Sequence, residues 1–112
     1  MDIPQVKTKD NVSKGDMGQE YLASGKEVAL RIWEEQRCDF SKATRRQYET
    51  VGYVVEGELQ LNLDGQIATL RAGDSWLVPA GSMRSYRIVE PILAIEATCP
   101  PARFNDRDHP PD

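Results

Sequence analysis

The chain has 112 residues, 39% of them hydrophobic, and a formal charge of -4, which suits one compact domain around a single core. With a pI near 5.0 it lacks the clustered excess of Lys and Arg that phosphate binding needs, which excludes a nucleic-acid surface. No apolar run is long enough to cross a bilayer, so a membrane is not an expected partner either.

Residues 1–26 read as a polar N-terminal arm: up to about Glu20 they show no period, as in a flexible segment or a strand added late. The opening MDIPQVKTKD has no apolar export signal, and Cys38 and Cys99 lack C-x-x-C spacing. A reduced, cytoplasmic setting with both thiols buried is the expectation. Residues 27–99 carry the periodic pattern. EVALRIWEEQ mixes β-branched, aromatic and charged residues in near alternation, which favours a strand, although Ala, Leu, Glu and Arg also suit a helix.

In GELQLNLDGQIATLRAGD, Leu59, Leu61 and Leu63 alternate up to Asp64-Gly65, a strong signal for a two-residue type I′ turn. That turn sets Leu63 opposite Gln66, Leu61 opposite Ala68 and Leu59 opposite Leu70. Beyond it, RAGD reads as a turn, SWLVP as a short strand, SMRSYRIV as another, EP as a turn and ILAIEA as a last strand. Short strands between Gly, Pro and Asp turns predict an all-β sandwich or barrel. Residues 100–112, rich in Pro and charge, read as an irregular tail across the surface.

The stretch YVVEGELQLNLDGQIATLRAGDSWLVPAGSMRSYRI resembles the small single-domain cupins, with motifs G-x5-H-x-H-x(3,4)-E-x6-G and G-x5-P-x-G-x2-H-x3-N. The resemblance spans roughly residues 28 to 98 and implies a double-stranded β-helix, or jelly-roll, barrel. Gly57 matches the end of the first motif, and Gly73, Pro79 and Gly81 match the second. At the metal-ligand positions this chain has Thr44 and Arg46 (Ala43 and Arg45 with the longer spacing), then Thr50 and Arg84, with Ile88 in place of the asparagine. A guanidinium has no lone pair to give a transition metal, so no metal and no cofactor is expected. The single histidine, His109, stands in the tail.

Without the family, alternation alone puts Thr44, Arg46, Tyr48 and Thr50 on one strand face, and Ser82, Arg84 and Tyr86 on another. If both faces line one barrel, the ligand-binding residues are Thr44, Arg46, Tyr48, Thr50, Trp76, Arg84 and Tyr86. Gly52 would then leave a gap beneath them, and Trp76 would wall it. Buried arginines facing each other call for an anion between them. The alternative is that Arg46 or Arg84 reaches the barrel mouth and pairs with Glu34, Glu49 or Glu96.

Three functions follow. The favoured one is a metal-independent barrel that binds a small anionic metabolite, carboxylate- or sugar-acid-like. The second is an isomerase, epimerase, lyase or cyclase with Tyr48 or Glu49 as catalytic acid or base; VGYVVEGEL and CPPARF are similar to small cupins of uronate and pectin breakdown. The third is a structural or regulatory barrel filled by side chains. The resemblance implies a homodimer in each case, with the N-terminal arm available for exchange.

Overall fold

The computed structural model describes residues 5–8, 13–14, 18–102, 104 and 108. Every regular element in it is a strand: β1 (Ser13–Lys14), β2 (Gln19–Ser24), β3 (Ala29–Glu35), β4 (Glu49–Leu63), β5 (Gln66–Arg71), β6 (Ser75–Val78) and β7 (Arg84–Cys99). They form one antiparallel sheet in the order β1-β2-β3-β7-β4-β5, with β6 also on β4. The jelly-roll expectation holds. Among the described residues no helix is long and apolar enough to cross a membrane.

The β4–β5 hairpin has the register set by its turn, with Leu59 opposite Leu70, Leu61 opposite Ala68 and Leu63 opposite Gln66. Asp64 and Gly65 both take positive φ, 50° and 90°, as a type I′ turn requires. EVALRIWEEQ contributes strand β3 rather than a helix, because every second side chain is buried: Ala29, Arg31 and Trp33. The segment read as an arm is partly in the sheet, since β2 pairs with β3.

Two expectations are corrected. Glu90-Pro91 is not a turn: β7 runs unbroken through it and pairs with β4 from Arg84 to Cys99. Proline, which has no N–H to give, is tolerated because the β4 register shifts between Val54 and Leu59, directly opposite. Gly57 sits in that bulge at φ 94°, and a Cβ there would stand 2.1 Å from the Pro91 carbonyl oxygen. The cysteines are also not buried; Cys38 and Cys99 are both exposed.

The bulge changes which side chains face inward. Before it, Thr50, Gly52 and Val54 point into the barrel; after it, Leu59 and Leu61 do. One interior is thus lined by even positions and then by odd ones. Its apolar half is built from Trp33, Val54, Leu59, Leu61, Leu70, Trp76, Val78, Ile88, Ile92 and Ala94.

Gly52 leaves no gap. It pairs with Trp76 across β4–β6, and a Cβ on it would lie 2.2 Å from Cζ2 of that indole. Trp76 therefore fills the space that Gly52 provides and belongs to the core. Gly52→Ala should lower stability by about 1–3 kcal/mol, the usual cost of overpacking. Urea or thermal melting checks this, and an unchanged midpoint would mean that the indole has room to move.

Candidate functional site

A cavity of about 320 Å³ is lined by residues that include Arg31, Trp33, Arg46, Tyr48, Arg84 and Tyr86. That size lies at the small end of the range for metabolite sites. Its walls are set by pairing. Thr44 and Arg84 exchange backbone hydrogen bonds, each 2.9 Å, and Cys38 bridges Ile88, so the irregular stretch 36–48 is fastened beside the first half of β7. Residues 44–50 alternate in burial although the strand begins only at Glu49: Arg46, Tyr48 and Thr50 are inside, Arg45, Gln47 and Glu49 outside.

Five of the seven binding residues read from the sequence line the cavity: Thr44, Arg46, Tyr48, Arg84 and Tyr86. Thr50 does not; it is fully buried and accepts a 3.5 Å contact from Arg84 Nη1. Trp76 is in the core, packed on Gly52, and Ser82 is not among the lining residues. Glu49 is turned out to solvent on the opposite face of β4, away from any reacting group in the cavity.

Sequence reasoning missed Arg31 and Asp108, and it named Glu96 only as a partner for Arg46 or Arg84. Arg31 and Glu96 stand directly opposite across β3–β7, and Arg31 Nε donates to Glu96 Oε1 at 2.9 Å. Glu96 is thus the partner of Arg31, and not of Arg46 or Arg84. A charged residue at an inward position of each of two strands is the signal that was available.

Asp108 comes from the tail. Pro101 and Ala102 are buried, and the Ala102 N–H donates to Thr98 Oγ1 at 3.0 Å, so the tail turns back over the barrel instead of lying only across the surface. The Asp108 carboxylate accepts from Arg31 Nη1 at 3.0 Å on both oxygens, from Tyr48 on Oδ1 at 2.5 Å and from Tyr21 on Oδ2 at 2.5 Å. Its backbone carbonyl accepts from Arg46 Nη1. His109 lies outside the described residues.

Burial works to raise the pKa of the Asp108 carboxyl, but Arg31 and the two phenols outweigh it and hold the group below the usual carboxylate value. Burial pushes the Tyr48 hydroxyl up, with Arg31 pulling the other way. Tyr86 is raised by burial and then by Glu96. Both phenols are therefore protonated at neutral pH, and Tyr48 donates to Asp108.

Arg84 is different. It is 5% exposed, and among the described residues its Nε and Nη2 have no hydrogen-bond partner. Its Cζ lies 5.3 Å from the Tyr48 ring centroid, and that of Arg31 lies 5.5 Å from the same centroid. Two guanidinium groups over one ring gain from its π face, but this gives Arg84 no acceptor for its remaining N–H groups.

The positions that the cupin resemblance assigns to metal ligands do converge here: Thr44, Arg46 and Arg84 line the cavity and Thr50 lies against Arg84. The longer spacing fails, since Ala43 and Arg45 are exposed. Hydroxyls and guanidinium groups do not fit a transition metal, which takes imidazole, carboxylate or thiolate. No group of three His, Cys, Asp or Glu side chains able to hold a metal occurs among the described residues.

A family model for the EutQ-like cupin domain matches residues 22–94. No curated protein matches the chain in sequence. Among solved structures it is similar to KdgF from Halomonas sp., at 20% identity and a TM-score of 0.76 over 93% of this chain and 98% of that one. An RmlC-like cupin from Shewanella frigidimarina gives 23% and 0.77 over 93% and 96%. The EutQ protein of Clostridium difficile gives 17% and 0.69 over 84% and 72%. At these identities the likeness is one of fold.

The donor set predicts that chelators leave the melting temperature unchanged, because the described residues offer no group of donors through which a metal would add folding free energy. Elemental analysis after dialysis provides the check. One equivalent of Zn, Fe, Mn or Ni whose removal lowers the melting temperature would contradict it.

Proposed function

The chain belongs to the EutQ-like cupin domain family, and we propose that its barrel is a metal-independent pocket for a small carboxylate- or sugar-acid-like anion. The observation that carries this reading is Arg84, a buried cation on the cavity wall with two nitrogens that find no partner among the described residues. Leaving buried donors unmade costs about 1–3 kcal/mol, more when they are charged. A carboxylate in the cavity would meet them with two acceptor oxygens in a plane, the geometry that a guanidinium matches.

Among the described residues the isomerase, epimerase, lyase or cyclase reading finds no unengaged base. Glu49 faces solvent, Tyr48 keeps its proton, Glu96 is held by Arg31, and Glu35, the other carboxylate lining the cavity, accepts from Trp33 Nε1 and Cys38 Sγ. KdgF is similar in fold, and the likeness goes no further at 20% identity. An open cavity counts against a barrel filled by its own side chains.

We also propose a homodimer through the outer face of the sheet. There the register aligns Leu30, Ala97, Val51 and Leu77 in one row and Ile32, Ile95 and Tyr53 in the next. Of these, Leu30, Val51, Tyr53, Leu77 and Ile95 are each more than two-fifths exposed, an unusual apolar band for a lone domain. Light scattering should give twice the 12.6 kDa chain mass, and Val51→Lys should halve it. A monomeric mass for the unaltered protein at micromolar concentration would rule the dimer out.

The pocket predicts a preference for anions. A carboxylate at a hundredfold excess over its Kd should stabilise the fold by about 2.7 kcal/mol, or roughly 10 °C in melting temperature at about 4–8 °C per kcal/mol. Its neutral amide at the same ionic strength should not. Arg84→Gln should remove most of the difference. Equal shifts from acid and amide would refute the anion pocket.

A further inference from the structure

Asp108 is bound as a ligand would be bound. Its two carboxylate oxygens collect a guanidinium N–H and two phenol O–H groups, from Arg31, Tyr48 and Tyr21. Tyr21 is on β2 and Arg31 on β3, while Tyr48 precedes β4. Three donors on separate, paired elements thus converge on one carboxylate. None of these contacts requires that the carboxylate be part of the chain.

We infer that Tyr21, Arg31 and Tyr48 form a carboxylate subsite that Asp108 of the chain's own tail fills, and that the barrel takes a short dicarboxylate, one end on Arg84 and the other in place of Asp108. This rests on the anion-pocket reading above and specifies its ligand class. Both arginines line the one cavity, with their guanidinium carbons 5.5 and 5.3 Å from the same Tyr48 ring centroid. With Asp108 in place, Arg31 faces two carboxylates while Arg84 has none within hydrogen-bonding distance among the described residues. The exchange leaves the charge at the first position unchanged and brings a carboxylate to the second.

Competition decides which acids succeed. A tethered carboxylate acts at a high effective concentration, on the order of millimolar for short linkers. A monocarboxylate therefore binds at Arg84 and leaves Asp108 where it is. A dicarboxylate anchored at Arg84 presents its second group to Tyr21, Arg31 and Tyr48 as an intramolecular competitor of the same kind, and so displaces the tail.

The test is calorimetric titration at fixed ionic strength with butyrate, with succinamate, and with malonate, succinate, glutarate and adipate, on the unaltered protein and on Asp108→Asn. At least one dicarboxylate should bind about tenfold or more tightly than butyrate and succinamate, a difference of about 1.4 kcal/mol. Asp108→Asn should tighten that dicarboxylate severalfold, and by more than it tightens butyrate. If butyrate binds through Arg84 but no dicarboxylate gains on it, the second subsite is wrong and the anion pocket stands. Asp108→Asn that weakens the dicarboxylate, or leaves it unaltered, likewise overturns the exchange. If no acid binds to either protein, both readings fall. Should the variant not fold, the comparison of succinate with butyrate on the unaltered chain still decides.

Discussion

The pairing of β4 with β7 is the constraint from which the rest of the structure follows. These are the two longest strands, and they are hydrogen-bonded along almost their whole length, from Glu49 beside Cys99 to Leu63 beside Arg84. Every other described strand except β1 and β2 is attached to one of them. Their crossing point is the contact between Gly57 and Pro91, where one strand has spare length and the other has no N–H to satisfy. A glycine at positive φ and a proline in mid-strand would each weaken a regular sheet. Placed opposite each other, they bend the pair, and the bend lets one sheet enclose an interior.

That interior is divided between an apolar half and a charged half. Leucine, isoleucine, valine and the two tryptophans fill the first. Three buried arginines and the carboxylates of Glu96 and Asp108 occupy the second. Burying charge is costly unless partners are supplied, and two of the arginines have them: Arg31 from Glu96 and Asp108, Arg46 from the Asp108 backbone. The Arg84 backbone is fixed by its bridge to Thr44, and its side chain lies buried inside the barrel against Thr50. A cation held in that way keeps its demand for an acceptor, which is the physical basis of the binding reading.

Much of this was legible in the sequence where a local rule fixes geometry. Asp64-Gly65 sets the hairpin register through its turn, and alternation around Arg46, Tyr48 and Arg84 places them on inward faces. What escaped depends on long-range partners. Arg31 looks like an ordinary outward charge in a strand until β7 brings Glu96 opposite it. Asp108 is one acid among several in a proline-rich tail, and only the anchor of Ala102 on Thr98 points it inward. Glu90-Pro91 reads as a turn because the bulge that accommodates it lies more than thirty residues away along the chain, in β4.

The bulge also governs which changes of chain length the fold can absorb. The bulge shifts the inward face of β4 from even to odd positions, so removing one residue between Val54 and Leu59 would give unbroken alternation with Leu59 and Leu61 still inward, at the cost of the bulge itself. The same deletion would take away the slack that faces Pro91. An extra residue at Asp64-Gly65 meets no such penalty, since that loop is exposed and a Cβ at Gly65 has nothing within 4 Å. Natural variation in length should therefore collect at the hairpin tip and be absent from the three residues around Gly57, even though both are glycine-containing breaks in the same pair of strands.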